Sequence, residues 1–260
     1  MLVYPQLTSG ALAQFPVVKH RRQRTIVNTL ADSTSIKLAD PPGEVTEWEL
    51  KYAALSDSEA LALQQFFAAT EGSLNAFTFL DPTANLLSWS EQLTNAVWTK
   101  DPFLSITAGV IDPTGGTGGW HVSNSGEGPQ TIVQTLSAPG AYLYCFSVYG
   151  RSTQATPITL LCGTGRLDCV VGPSWGRLTL TGHGDSTAQS VEFGIELSAG
   201  GAVDIFGLQV EPQVSASLYK PSETGGVYEN ASFRDDVFSF TTTDVNHHSA
   251  IVNIIHANSL

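Results

Sequence analysis

The sequence predicts a mainly β protein: a small β-barrel or sandwich carrying one α-helix, interrupted by an inserted antiparallel β-sandwich of jelly-roll type. Three observations predict it. The chain has 260 residues, room for two modest cores, since domains usually run to about 100–150 residues. Only 14% of residues are charged, while Gly numbers 24 and Pro 13. A surface of Ser, Thr, Gly, Asn and Gln with many turn residues suits strands better than a helical bundle, which needs long Lys, Glu and Ala runs. Finally, a single helical period is followed by a long series of short apolar runs separated by turn residues.

The elements follow in order. Residues 46–53, TEWELKYA, alternate, with Trp48, Leu50 and Tyr52 on one side and Glu47, Glu49 and Lys51 on the other, as a half-buried strand requires. The next run, LSDSEALALQQFFAATEG, opens with Ser56 and Glu59 at capping-box spacing, puts Ala60, Leu63, Phe66 and Phe67 on one face, and stops at Gly72. AFTFLDP then reads as a strand, with Phe77 and Phe79 facing one way and Asp81-Pro82 closing it.

Beyond Asn85 come QTIVQTL, YLYCFSVYG, TPITLLCG, GRLTLTG, SVEFGIEL and VDIFGLQVE, spaced as in a sandwich of two antiparallel sheets. After the polar break PSETGG at 221–226, strands remain only around VFSFTTT and SAIVNII. So few strands cannot bury a core alone and must join the start of the chain. The expected division is a discontinuous domain of residues 1–85 and 226–260 with residues 86–225 inserted, which the closeness of a domain's ends permits.

The net charge of −12 and pI near 4.7 argue against tight nucleic-acid binding, because phosphate contacts need a basic footprint. Cys145, Cys162 and Cys169 are too few and too irregular for a disulfide framework and read as small buried hydrophobes. No stretch approaches the roughly 20 apolar residues of a membrane span, and the N-terminus lacks a signal pattern. The expectation is a protein made soluble in a host cytoplasm without membrane insertion, reaching any extracellular role by another route such as cell lysis.

Residues now carry a resemblance. FPVVKHRRQRTIVN, then EWELKYAALSDSEALALQQFFAATEGSLNAFTFLDP, then YENASFRDDVFSFTTT resembles distal tail proteins of long-tailed phages, in particular the lambda-type minor tail proteins. Leu55, Ser56, Glu59, Leu63, Phe67, Gly72, Phe77, Phe79 and Pro82 match that family's central phrase, over about half of the chain. The middle region is similar to a carbohydrate-binding-type jelly-roll module of phage tail fibres, through NLLSWSEQLTNAVWTK, YCFSVYGRS, SWGRLTL and DIFGLQVEPQVSASLYKPSE. Phe206 stands where the module's closing phrase has Trp, and Ser222 where it has Thr.

The resemblance implies a virion component at the tail tip. Six copies would form a ring through a heterologous interface that closes, joining the tail tube protein to hub, central-fibre or tape-measure proteins. The inserted module implies binding to host cell-surface polysaccharide. Lys19, Arg21, Arg22 and Arg24 gather in an otherwise acidic chain and are the candidate electrostatic interface; the plain alternative is a solvated strand. A sugar needs an exposed aromatic face with polar side chains nearby. Of the aromatics in the insert, Trp120 and Tyr142 are the candidate glycan contacts, while Trp98, Trp175 and Phe206 read as core.

Enzyme signatures are missing. There is no GxSxG, HExxH or phosphate loop, and His247-His248 reads as a pair of surface-loop histidines that cannot chelate together. A glycosidase needs only two facing carboxylates, and no pair stands out. No catalytic residue or cofactor is expected. A structural calcium among Asp112, Asp185 or Asp204 suits such modules but has no support in the spacing. The reading is therefore a structural tail-tip protein, not an enzyme, with a polysaccharide-cleaving tail enzyme or a stand-alone glycan-binding adhesin as alternatives.

Overall fold

The computed structural model describes residues 2–257. In chain order, β1 (Val17–Thr29), β2 (Ser35–Leu55), α1 (Asp57–Ala69) and β3 (Phe77–Leu80) come first. Then follow β4 (Thr99–Lys100), β5 (Leu104–Val110), β6 (Gly119–Asn124), β7 (Gln130–Leu136), β8 (Tyr144–Arg151) and β9 (Thr156–Cys162). The chain continues through β10 (Gly165–Val171), β11 (Gly176–Gly182), β12 (Val191–Leu197) and β13 (Ala202–Glu211), and closes with β14 (Val227–Phe233), β15 (Phe240–Asp244) and β16 (His247–Ala257). Two compact units result: Met1–Leu7, Ala13–Phe79 and Tyr228–Leu260 form the first, Thr8–Leu12 and Leu80–Val227 the second.

The first unit is one six-stranded sheet in the order β1-β2-β16-β14-β3, with β15 on β16, and a single helix. The alternation in β2 fixes its faces: Trp48, Leu50 and Tyr52 are 1%, 0% and 2% exposed, while Lys51 points to water. α1 starts at a complete capping box, in which Ser56 Oγ accepts the Glu59 N–H and the Glu59 carboxylate accepts the Ser56 N–H. It ends where Glu71 and Gly72 turn left-handed, at φ 52° and 67°. Phe233, Val252 and Ile254, from strands late in the chain, complete the core begun by Tyr4, Trp48, Phe77 and Phe79. Its rings meet edge to face: Trp48 to Phe79 at 5.0 Å, Phe66 to Phe77 at 5.1 Å.

Two features of this unit differ from the sequence reading. His248 is no surface-loop residue: it lies buried on β16, bonded to the Thr242 hydroxyl at 2.9 Å and the Asp57 carboxylate at 2.7 Å. And β1 with β2 makes a ribbon far longer than the 46–53 strand alone suggests. Among the described residues β16 pairs with β2 only from Val45 onward and residues 35–40 pair with β1 alone, which leaves an unpaired edge. Pro41 and Pro42 sit on that unpaired edge, beside the register shift between Arg22 and Arg24, where a missing N–H costs no ladder bond.

The second unit is a sandwich of two antiparallel five-stranded sheets, β10-β9-β12-β7-β4 and β11-β8-β13-β6-β5. Val122, Phe146, Val148, Leu160, Phe193, Ile195, Ile205 and Val210, all 0% exposed, fill the space between them. The unit's bounds differ from the expected 86–225, taking in residues 8–12, 80–85 and 226–227. Leu12 is fully buried and donates its N–H to the Pro212 carbonyl at 3.1 Å. Asn85 Oδ1 accepts the Val210 N–H at 3.0 Å, and its Nδ2 donates to the Leu208 carbonyl at 2.9 Å, satisfying β13 just past its register shift.

Candidate functional site

The outward face of the β11-β8-β13-β6-β5 sheet concentrates the unit's polar and aromatic chemistry. Register does this. Asp204 on β13 stands opposite Arg151 on β8 and opposite His121 on β6, and His121 opposite Thr107 on β5, so four strands contribute one row. Arg151 Nε donates to Asp204 Oδ2 at 3.0 Å, and His121 Nδ1 lies 2.8 Å from Asp204 Oδ1. These side chains remain open to solvent, at 30%, 21% and 46% for Arg151, Asp204 and His121.

Trp175, in the turn before β11, lies against this row, with the Arg151 guanidinium 4.7 Å from its ring centroid. The next row holds Tyr149 and Phe206, opposite each other on β8 and β13, with Arg177 5.3 Å from the Tyr149 ring and Tyr219 5.1 Å from Phe206. Trp175 Nε1 and Arg177 Nε are shielded from solvent and have no acceptor among the described residues. Shielded donors of this kind are uncommon in native proteins. The face thus offers half-buried aromatic planes beside fixed charges of both signs, the kind of lining that ligand sites use.

The far end of the same face is closed by the segment 212–220. Glu211, 2% exposed, accepts from the Ser217 N–H at 2.8 Å, Ser217 Oγ at 2.6 Å, Gln209 Nε2 at 2.8 Å and Lys220 Nζ at 3.3 Å. Gln209 Oε1 accepts the Lys220 N–H at 2.7 Å. Tyr219, whose phenol is pushed up by burial, reaches Ser90 Oγ at 3.1 Å.

The residues expected from sequence fare unequally. Trp120 is 9% exposed and donates Nε1 to the Glu91 carbonyl at 3.2 Å, which makes it an anchor and not a sugar platform. Tyr142 is half-buried in the turn before β8, off the row. Trp175, read as core, is half-buried against the Arg151 guanidinium in the turn before β11, whereas Phe206, read as core, is buried at 7% exposure beneath Tyr219. Arg21, Arg22 and Arg24 pair with Glu44, Glu47 and Asp40 across the β1–β2 ribbon, and Lys19 Nζ lies 5.4 Å from the Trp48 ring.

No three His, Cys, Asp or Glu gather to hold a metal among the described residues. Asp112 accepts from Thr114 N and Oγ1, Gly116 N and Gly118 N, Asp185 from Thr187, and Asp204, on β13 and not in a loop, from Arg151, so each of the three acids already has protein donors. Burial pushes the thiols of Cys145 and Cys169 up and that of Cys162 up to about 12, which keeps all three protonated and unreactive near neutral pH.

A cleft of about 290 Å3 lies at the strand ends beyond Arg151, lined by Ser152, Gln154, Pro157, Ser198 and Gly200 among others. It offers neither an aromatic plane nor a charge, so the chemistry favours the sheet face.

No family model and no curated protein matches the chain. Among solved structures it is similar to the enzymatically active domain of bacteriophage CBA120 tailspike protein 4, at 18% identity over 51% of this chain and 22% of that one, with a TM-score of 0.39. It is also similar to a xylan-binding CBM22 domain from Paenibacillus barcinonensis, at 16% identity over 51% and 96%, with a TM-score of 0.42. A family 22 carbohydrate-binding module of Clostridium thermocellum matches at 14% identity over 53% and 99%, with a TM-score of 0.41.

Proposed function

We propose that this chain is a structural, non-catalytic component of a phage-type tail tip, in which the first unit assembles and the second binds host surface glycans. The observation that carries the binding half is the Arg151–Asp204–His121 row beside Trp175. A sugar ring laid against the indole would bring its hydroxyls to the guanidinium, carboxylate and imidazole, and bidentate groups already held by each other lose little freedom on binding.

The assembly half rests on the family resemblance of the first unit and is supported by the β1–β2 ribbon. Beyond the proline step the ribbon is exposed, and Ile26, Ile36 and Leu38, 40%, 43% and 49% exposed, line one of its faces. An apolar row on a two-edged ribbon suits a second copy of the chain, as a closed sixfold ring requires. Rings at the tail tip would contact the tail tube protein on one side and hub, fibre or tape-measure proteins on the other. If the ring reading fails, the binding half stands alone as an adhesin.

The test is a glycan array and titration with the full chain, alongside Arg151→Ala, Asp204→Asn and Trp175→Ala. Each substitution is expected to weaken binding about tenfold, the worth of one stacking or charged hydrogen-bond contact. Unchanged binding in all three would sink the assignment of the face. Electron microscopy that finds only monomers, alone and with the tail tube protein, would sink the ring.

A further inference from the structure

Three tryptophans meet at one turn of the second unit, and they do different things. Trp98 donates Nε1 to the Trp89 carbonyl at 3.1 Å, and Trp120 donates Nε1 to the Glu91 carbonyl at 3.2 Å. Both rings are buried, at 4% and 9% exposure, and both pin the backbone of the turn between them. The third, Trp89, is only half-buried, and its indole nitrogen has no acceptor among the described residues.

Trp89 also holds φ at 49°, the left-handed region that glycine adopts freely and a bulky L residue adopts at a cost. The conformation is held from both sides. Trp89 N donates to the Glu223 carbonyl at 3.2 Å, Ser90 N to the Ser222 carbonyl at 2.9 Å, and Gln92 N to the Trp89 carbonyl at 3.0 Å. Trp89 is half-buried, and its ring stacks on no other aromatic ring among the described residues. What the strained turn does achieve is display. Trp89 lines a cleft of about 310 Å3 with Glu91, Gln92, Pro221, Ser222 and Glu223.

We propose that this cleft is a second carbohydrate-contact site, which takes the apolar face of a neutral pyranose on Trp89 and its hydroxyls on Glu91, Gln92 and Glu223. The volume lies at the lower end of small-ligand pockets, so the site suits a short saccharide. Two carboxylates accept hydroxyl hydrogens well and repel uronic or sialic acids, which sets its selectivity. The inference rests on the proposed function for its ligand class only; it uses none of the residues of the sheet face.

The test is fluorine NMR of the full chain labelled with 5-fluorotryptophan, whose five tryptophans give separable signals. The probes are cellohexaose, xylohexaose and mannohexaose, with hexagalacturonate as the acidic control, each up to about 10 mM, enough to saturate a weak millimolar site. Trp89→Gly assigns the signal and removes the platform while relieving the backbone, so it is expected to fold with an unchanged or higher Tm. At least one neutral hexamer is expected to shift the Trp89 signal, and hexagalacturonate is not. Trp89→Gly is expected to lose binding at this site about tenfold or more, Trp89→Phe less, and Asp204→Asn to leave the Trp89 shift unchanged. A Trp89 signal that no neutral hexamer moves overturns the inference, as does wild-type affinity in Trp89→Gly. A Trp175 signal that stays fixed while Trp89 responds overturns the sheet-face reading and upholds this one.

Discussion

Glu211 holds the segment 212–220 against the outward sheet face, and its removal has a calculable cost. Its carboxylate is 2% exposed and takes four donors from Ser217, Gln209 and Lys220. In Glu211→Ala the Ser217 hydroxyl and the Gln209 amide can turn to the Leu218 carbonyl, at 3.2 Å and 3.3 Å, but the Ser217 N–H is orphaned. Breaking a buried charged pair costs about 3–5 kcal/mol, and the lower end applies because the Lys220 side chain is 36% exposed and can reach water. Glu211→Gln keeps one acceptor and should cost about 1–2 kcal/mol. At about 2–4 °C per kcal/mol for a domain of this size, the second unit's Tm should fall by roughly 6–12 °C and 2–8 °C respectively. Calorimetry of the full chain measures both, and amide exchange at Ser217 and Lys220 should quicken before the unit melts. An alanine variant within about 0.5 kcal/mol of wild type, or a glutamine variant equally damaged, would refute the reasoning.

Four further outcomes follow from the same structure. The Thr114 hydroxyl, followed by the N–H groups of Gly118, Thr114 and Gly116, holds the Asp112 carboxyl below its ordinary 3.8, so its stabilisation is present above that value and lost as pH falls through the lower folded one. Asp112→Asn should therefore be less stable than wild type near pH 7, with the gap closing below about pH 3.8 in denaturant titrations; a gap independent of pH would contradict this. Ser56→Ala should cost the first unit about 1 kcal/mol through loss of the cap, measured by urea unfolding, and no loss would deny the capping box a role. Arg21→Ala, Arg22→Ala and Arg24→Ala should each change stability by less than about 1 kcal/mol, because the guanidinium ends are exposed. Self-association, followed by light scattering, should weaken more in Ile26→Ser/Leu38→Ser than between low and high salt, and the reverse order would favour the charges as the interface.

Legibility tracked the range of the interaction. The capping box, the Trp48-Leu50-Tyr52 alternation and the run of sandwich strands depend on neighbours a few residues apart, and the sequence displays them directly. The closing phrase of the insert was visible as a pattern, and its cause is now plain: Gln209 and Glu211 grip Ser217 and Lys220, and Tyr219 ties back to Ser90. The site was not visible. Arg151, Asp204 and His121 are far apart in the chain and meet only through strand register, while Trp175 looks like core because aromatics usually are. The basic cluster shows only half of its pairing in sequence. Four charges close in sequence look like a patch, but Glu44, Glu47 and Asp40 lie across the ribbon from three of them, a pairing that one strand's sequence does not contain. Trp89 had no signal at all, since a left-handed tryptophan is a property of the turn that holds it.

Whether the sheet face binds or cleaves turns on the spacing of carboxylates. Cleaving a glycosidic bond takes two, about 5–5.5 Å apart for retention or about 6.5–9.5 Å for inversion. Asp204 is the carboxylate in the open row, and both its oxygens are engaged, by Arg151 and His121. The other acid on this face of β13 is Glu211. At about 3.3 Å per residue of strand, the two lie roughly 20 Å apart along β13, more than twice the widest catalytic separation. Glu211 is in addition buried under Ser217 and Lys220. The two acids of β13 are therefore too far apart to flank one bond, while a single paired carboxylate beside an indole can still orient a sugar. Reducing-end assays on any polysaccharide that the chain binds should stay at the buffer rate, and Asp204→Asn should lower affinity alone. Turnover that the same substitution abolishes would mean that a second carboxylate reaches the row, and would overturn the non-catalytic reading.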